Sequence, residues 1–121
     1  MAESEKFVLI VEDDDDAREA LAVFLQAEGY SVLEAAHGEE ALRQLRSAPV
    51  SAILLDLMMP VMNGWTFRAE QLKDAALAAI PVAVLTADAT AAPKVAALHV
   101  EDCMTKPVDF DRLLAFVRRH C

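Results

Sequence analysis

Five short apolar runs punctuate the chain, and the three most apolar of them stop abruptly on polar side chains. Phe7-Val8-Leu9-Ile10-Val11 runs into Glu12-Asp13, Ala52-Ile53-Leu54-Leu55 into Asp56, and Val82-Ala83-Val84-Leu85 into Thr86. Runs this short and this uniformly apolar have the length and pattern of strands buried on both faces. The other two are weaker. Ser31 to Ala35 contains Ser31 and Glu34, and the run that ends on Lys106-Pro107 contains Glu101 and Asp102, so these two strands belong at the edges of a sheet.

Between the runs the hydrophobic period changes from that of a strand to that of a helix. Asp14 to Glu28 places Ala17, Ala20, Leu21, Phe24 and Leu25 on one face, with Asp14 to Asp16 as caps and Gly29 as a stop. Gly38 to Ser47 does the same with Ala41, Leu42 and Leu45, and Pro49 marks its exit. From Gly64 to Ala79 helix-forming residues dominate, although Phe67 and Leu72 are five apart and Arg68 interrupts the apolar face. Thr90 to Leu98 is Ala-rich, with Pro93 tolerable only in a first turn. Asp109 to His120 restores the period through Leu113, Leu114, Phe116 and Val117, with Asp109 as cap and Arg118-Arg119 complementing the helix dipole.

This alternation predicts an α/β protein: a five-stranded parallel sheet, order 2-1-3-4-5, doubly wound and flavodoxin-like, with helices on both faces. With 121 residues the chain is read as a single domain over 1–121, its core spanning about 6–120. In that topology the polar residues ending the strands share one rim, the rim at which open α/β sheets bind ligands. Glu12, Asp13, Asp56, Thr86 and Lys106 are therefore predicted to meet.

Charge narrows what they do. A formal net charge of −9 argues against direct binding to nucleic acid. No apolar stretch is long enough to span a bilayer, and Met1 to Lys6 lacks the pattern of a signal peptide, so no membrane role and a cytoplasmic location are expected. Cys103 and Cys121 lack metal-ligand spacing and are read as reduced thiols. Converging carboxylates repel one another and call for a cation; an all-oxygen set suits Mg²⁺. A carboxylate beside such a metal can act as a nucleophile on phosphorus, and Asp56, alone at the end of the central strand, is the best placed to do so.

The residues Val8-Leu9-Ile10-Val11-Glu12-Asp13-Asp14, Leu54-Leu55-Asp56-Leu57-Met58-Met59-Pro60-Val61-Met62-Asn63-Gly64, Val84-Leu85-Thr86-Ala87 and Thr105-Lys106-Pro107 resemble the receiver domain of two-component response regulators over about residues 6 to 120. The resemblance implies that Asp56 is the phosphoacceptor, that Asp13 is a direct Mg²⁺ ligand with Glu12 acting through water, and that the backbone carbonyl of Met58 is a further ligand. It implies that Thr86 and Lys106 contact the phosphoryl group and that the Lys106-Pro107 bond is cis. The implied partners are a histidine kinase or phosphotransfer protein upstream and a protein downstream, met through the face made by the fourth helix, fifth strand and fifth helix. The implied protein is a monomer or weak dimer, not a conventional turnover enzyme, and sheds its phosphate slowly. Met58 and Asp88 occupy positions that in the family tune that lifetime.

The chain departs from the pattern in the relay. Cys103 stands where receivers carry an aromatic residue three positions before the lysine, and His99 and Val100 replace the usual glycine and alanine. Cys103 motivates an alternative, a receiver-like interaction module that works without phosphorylation. A third reading is an enzyme, either an aspartate-nucleophile phosphatase or a flavoprotein of the same topology. Against it, no second aspartate follows Asp56 two residues later, and the acidic turn would repel a flavin phosphate. Outside the rim the bland readings hold: Asp14 to Asp16 as caps, Met58, Met59 and Met62 as turn packing, Trp65 as a partly exposed reporter, and His37, His99 and His120 without catalytic work.

Overall fold

The computed structural model describes residues 6–57, 64–88, 90, 92–95 and 99–121. In chain order the elements are β1 (Phe7–Val11), α1 (Asp15–Ala27), β2 (Ser31–Ala35), α2 (Gly38–Ser47), β3 (Val50–Asp56), α3 (Gly64–Leu72), α4 (Ala75–Ala78), β4 (Val82–Thr86), α5 (Ala92–Val95), β5 (Asp102–Thr105) and α6 (Phe110–His120). The strands form one sheet in the order β2-β1-β3-β4-β5, and all four pairings are parallel, as the alternating pattern predicts.

Because side chains alternate across a strand, each strand feeds two cores. Val8, Ile10, Leu54, Ala83, Leu85 and Met104 face Leu21 and Leu25 of α1 and Leu113, Phe116 and Val117 of α6. Leu9, Val11, Ile53, Leu55, Val82 and Val84 face Leu42 and Leu45 of α2, Phe67 of α3, Leu77 of α4 and Val95 of α5. The helix boundaries follow from capping. Asp14 accepts the amides of Asp16 and Ala17, and Asp109 those of Asp111 and Arg112. His37, given no work from the sequence, caps α2 by accepting the Glu40 amide, while Glu40 Oε1 accepts the Ala36 amide at 2.8 Å.

Three expectations require correction. The helix predicted over Gly64 to Ala79 breaks after Leu72. Asp74 accepts the Ala76 amide at 3.0 Å and starts α4, and the buried Gln71 amide donates to the carbonyls of Leu77 and Ile80. Leu72, off the apolar period, is exposed. The helix predicted from Thr90 does not include it, since the Asp88 carboxylate accepts both the Thr90 amide and hydroxyl in a turn. Residues 89, 91 and 96–98 lie outside the described residues, and among those described this helix is Ala92–Val95. Glu101 precedes β5 rather than belonging to it: its carboxylate accepts the Val82 amide at 2.9 Å.

Arg68 interrupts the apolar face of α3 because it is itself buried, at 3% exposure. Nη1 donates to Gln71 Oε1 at 2.7 Å and Nη2 to the His99 carbonyl at 3.0 Å, which offsets the desolvation of the guanidinium. Burial holds its pKa below the ordinary value, opposed by the charge of Glu101. His99 carries a φ of 55°, in the left-handed region where glycine, the residue the resemblance leads one to expect here, is the default.

Phe116 lies fully buried in the α1/α6 core, so Phe116→Ala is expected to cost about 3–5 kcal/mol, whereas loss of the Asp109 cap in Asp109→Ala costs about 1 kcal/mol. Urea unfolding at neutral pH measures both, and equal effects would contradict this placement.

Candidate functional site

Parallel pairing brings the carboxyl ends of four strands to one rim. Val11 pairs with Leu55, Asp56 with Leu85 and Thr86 with Thr105, so Glu12, Asp56, Thr86 and Lys106 stand at successive strand ends. The Lys106 amide donates to the Thr86 carbonyl at 2.7 Å, which extends the β4–β5 pairing one step toward the site. The Lys106-Pro107 bond is cis, as the resemblance implied.

The three acids converge. One carboxylate oxygen from each of Glu12, Asp13 and Asp56 lies within 4.8 Å of the others. Glu12 and Asp56 are buried at 2% and 5% exposure, whereas Asp13 faces solvent, so the cluster has a closed floor and an open side. Lys106 reaches in from the opposite edge. Its Nζ stands 2.7 Å from Glu12 Oε1 and 3.8 Å from Asp56 Oδ2. The other Glu12 oxygen accepts the Asp14 amide at 3.2 Å. Thr86 is buried, and its hydroxyl accepts the Asp88 amide at 3.1 Å. The Met58 carbonyl, expected as a metal ligand, lies outside the described residues, as do Met59 and Met62. Trp65 is half-buried against the α2/α3 core, close to its expected setting.

The electrostatics follow from this packing. Burial pushes the Glu12 carboxyl up, but hydrogen bonds with Lys106, the Asp56 carboxyl and the Asp14 amide outweigh it and hold Glu12 below its ordinary value. Burial likewise pulls the Lys106 ammonium down, and the Glu12 hydrogen bond with the charges of Asp56, Glu12 and Asp13 raises it above its ordinary value. Both shifts favour the ion pair. Cys103 is half-buried on β5 against the α2/α3 core, and desolvation, then the charge of Asp102, push its thiol up, away from the reactive thiolate.

One contributor was missed from sequence. Arg18, in the first turn of α1, donates to the main-chain carbonyl of Glu12 at 2.8 Å. Its spacing from the acidic turn was the available signal, but a helix-surface arginine reads as solvated by default.

Residues 8–118 match the response regulator receiver domain. The chain belongs to this family, whose members are the signalling switches of two-component systems. It is 36% identical over 121 residues to response regulator RR06 of Streptococcus pneumoniae, covering 93% of this chain and 54% of RR06. It is 33% identical over 109 residues to protein PilH of Pseudomonas aeruginosa, covering 88% of this chain and 90% of PilH. The chain thus spans about half the length of one curated relative and most of the other. Its fold superposes on the crystal structure of response regulator TrrA from Thermotoga maritima, in complex with Mg²⁺ and a beryllium fluoride, with a TM-score of 0.85 and 29% identity over 96% of this chain and 99% of that one.

The Glu12–Lys106 pair makes the stability of the fold depend on pH. A carboxyl held low contributes stability above its ordinary value of 4.5 and loses it as pH falls through the lower folded value. Lys106, held high, contributes below 10.5 and loses its share as pH rises through its folded value. The stability difference between wild type and Glu12→Gln should therefore be level at neutral pH and shrink below about pH 4.5, as followed by urea unfolding across that range. A difference that grows with acidity would refute the pairing.

Proposed function

We propose that Asp56 accepts a phosphoryl group from a phosphohistidine of a histidine kinase or phosphotransfer protein, or from a small acyl phosphate, and that this changes the contacts the chain makes with a downstream protein. The observation that carries the reading is the packing of Glu12, Asp13 and Asp56 within 4.8 Å beside the Lys106 ammonium. The donor set is all oxygen and anionic, which fits a hard divalent cation such as Mg²⁺. Glu12, Asp13 and Asp56 would hold it, with the Met58 carbonyl as a further ligand. When bound, it supplies positive charge to the oxygens of the transferring group. The Mg²⁺ and beryllium fluoride held by TrrA support the same reading for this chain.

In the transfer an Asp56 carboxylate oxygen forms the bond to phosphorus as the bond to the donor breaks, and the donor keeps that electron pair. Lys106 already lies near both buried acids, so its ammonium can pair with a phosphoryl oxygen without crossing the site. The Thr86 hydroxyl, at the end of the neighbouring strand, supplies a second donor. Hydrolysis then returns Asp56 slowly to its free carboxylate. The downstream contact is assigned to the α5–β5–α6 face, the counterpart of the predicted fourth helix, fifth strand and fifth helix, where Cys103 sits in place of an aromatic ring. That substitution is the observation behind the second reading, a module whose binding ignores phosphorylation.

Incubation with Mg²⁺ and acetyl phosphate should add one phosphoryl group by intact mass to wild type and none to Asp56→Asn, and a chelator should abolish the gain. Lys106→Met should slow it on the order of a hundredfold, the cost of removing one charge-stabilising donor. Absence of any Asp56-dependent gain would defeat the reading. Equal downstream-partner binding by wild type and Asp56→Ala would favour the phosphorylation-independent module.

A further inference from the structure

Five acids in succession, Glu12 to Asp16, form the turn between β1 and α1 and the first residues of α1. Repulsion along that stretch favours an open turn, yet the candidate site needs Glu12 and Asp13 turned inward toward Asp56. Arg18 closes the turn. Its guanidinium reaches back from α1 and makes three contacts in three directions: Nη1 donates to the main-chain carbonyl of Glu12 at 2.8 Å, Nη2 pairs with Asp15 Oδ1 at 2.6 Å, and Nε faces Glu34 Oε1 of β2 at 3.4 Å. The side chain is only 16% exposed. The planar fork thus ties the turn, the first turn of the helix and the edge strand together, a task that a lysine with one compact ammonium cannot perform in full.

We propose that Arg18 is a positioning residue for the cation site: it pins the main chain at Glu12 so that Glu12 and Asp13 converge on Asp56 before a metal arrives. The proposal rests on the reading of those three acids as the Mg²⁺ site. Arg18 touches neither the metal ligands' carboxylates nor the acceptor, and acts through the backbone that carries them. Charge and geometry predict opposite outcomes for its removal. By charge alone, deleting a cation and freeing Asp15 and Glu34 makes the rim more negative and draws Mg²⁺ in more tightly. By geometry, an unpinned turn must be ordered again at each binding event, and affinity falls. Geometry wins because Asp15 and Glu34 are exposed or half-exposed and salt screens their field over roughly 8 Å, whereas losing a partner that orients metal ligands costs about 10–100-fold in affinity.

The test is calorimetric titration of Mg²⁺ into wild type, Arg18→Met and Arg18→Lys, together with acetyl phosphate kinetics over a range of Mg²⁺. Arg18→Met should bind Mg²⁺ about tenfold more weakly, and Arg18→Lys should move in the same direction although it keeps the charge. The phosphorylation rate at saturating Mg²⁺ should stay close to wild type, so that the loss lies in the half-saturating metal concentration. A variant with a lower unfolding midpoint but unchanged Mg²⁺ affinity would reduce Arg18 to a structural residue and overturn the proposal, as would tighter binding. If Arg18→Met does not fold by circular dichroism, Arg18→Lys decides alone. Wild type that takes up Mg²⁺ and phosphoryl groups while the variants match it would overturn only the role of Arg18. Wild type that takes up neither would remove the underlying reading, and this proposal with it.

Discussion

Carboxylates buried at the end of a sheet repel one another, and the ion pair between Lys106 and Glu12 at 2.7 Å offsets part of that repulsion. A parallel sheet delivers every strand end to the same rim, so the topology that creates the site also creates its repulsion. The lysine arrives from the far edge of the sheet, more than ninety residues from its partner. Its arrival depends on β5 pairing in register with β4, which the Lys106 amide extends to the Thr86 carbonyl. Correct folding of the whole sheet is thus a precondition for electrostatic balance at one end of it.

Much of this was legible in the residues, for definable reasons. Strands buried on both faces advertise themselves as apolar runs, and the polar residue that stops each run here was the one that entered the site. The clean helical periods of α1, α2 and α6 fixed their limits to within a residue, with Asp14 and Asp109 as caps. What escaped was side-chain hydrogen bonding to the backbone, which the hydrophobic period does not report. Nothing in that period announces that Asp74 will cap a new helix, that Gln71 will bond two carbonyls beyond it, or that Arg68 will be buried against the His99 carbonyl. Arg18 belongs with these in part: Asp15 lies one helical turn away, but only the fold brings Glu34 of the edge strand within reach.

Family membership and the geometry of the rim point the same way, but they bear on different parts of the molecule. The acids, the hydroxyl and the lysine occupy their places at the strand ends. The departures lie elsewhere, at His99, Val100 and Cys103, along the segment that leads into and through β5. His99 adopts the left-handed backbone that a glycine would take more easily, and Arg68 donates to its carbonyl, so the entrance to β5 is held by a side chain of α3.

The two-sided core gives the substitution at Cys103 a limited reach. Cys103 packs on the side of the sheet covered by α2 to α5, while its neighbour Met104 is sealed into the core beneath α1 and α6. The short strand that ends at Lys106 is therefore anchored in both layers, one residue on each side of the sheet. A small side chain at Cys103 thins only one of these anchors; Met104 still fixes the strand beneath α1 and α6. The sheet edge that carries Lys106 is thus held mainly from one side, beneath the two long helices.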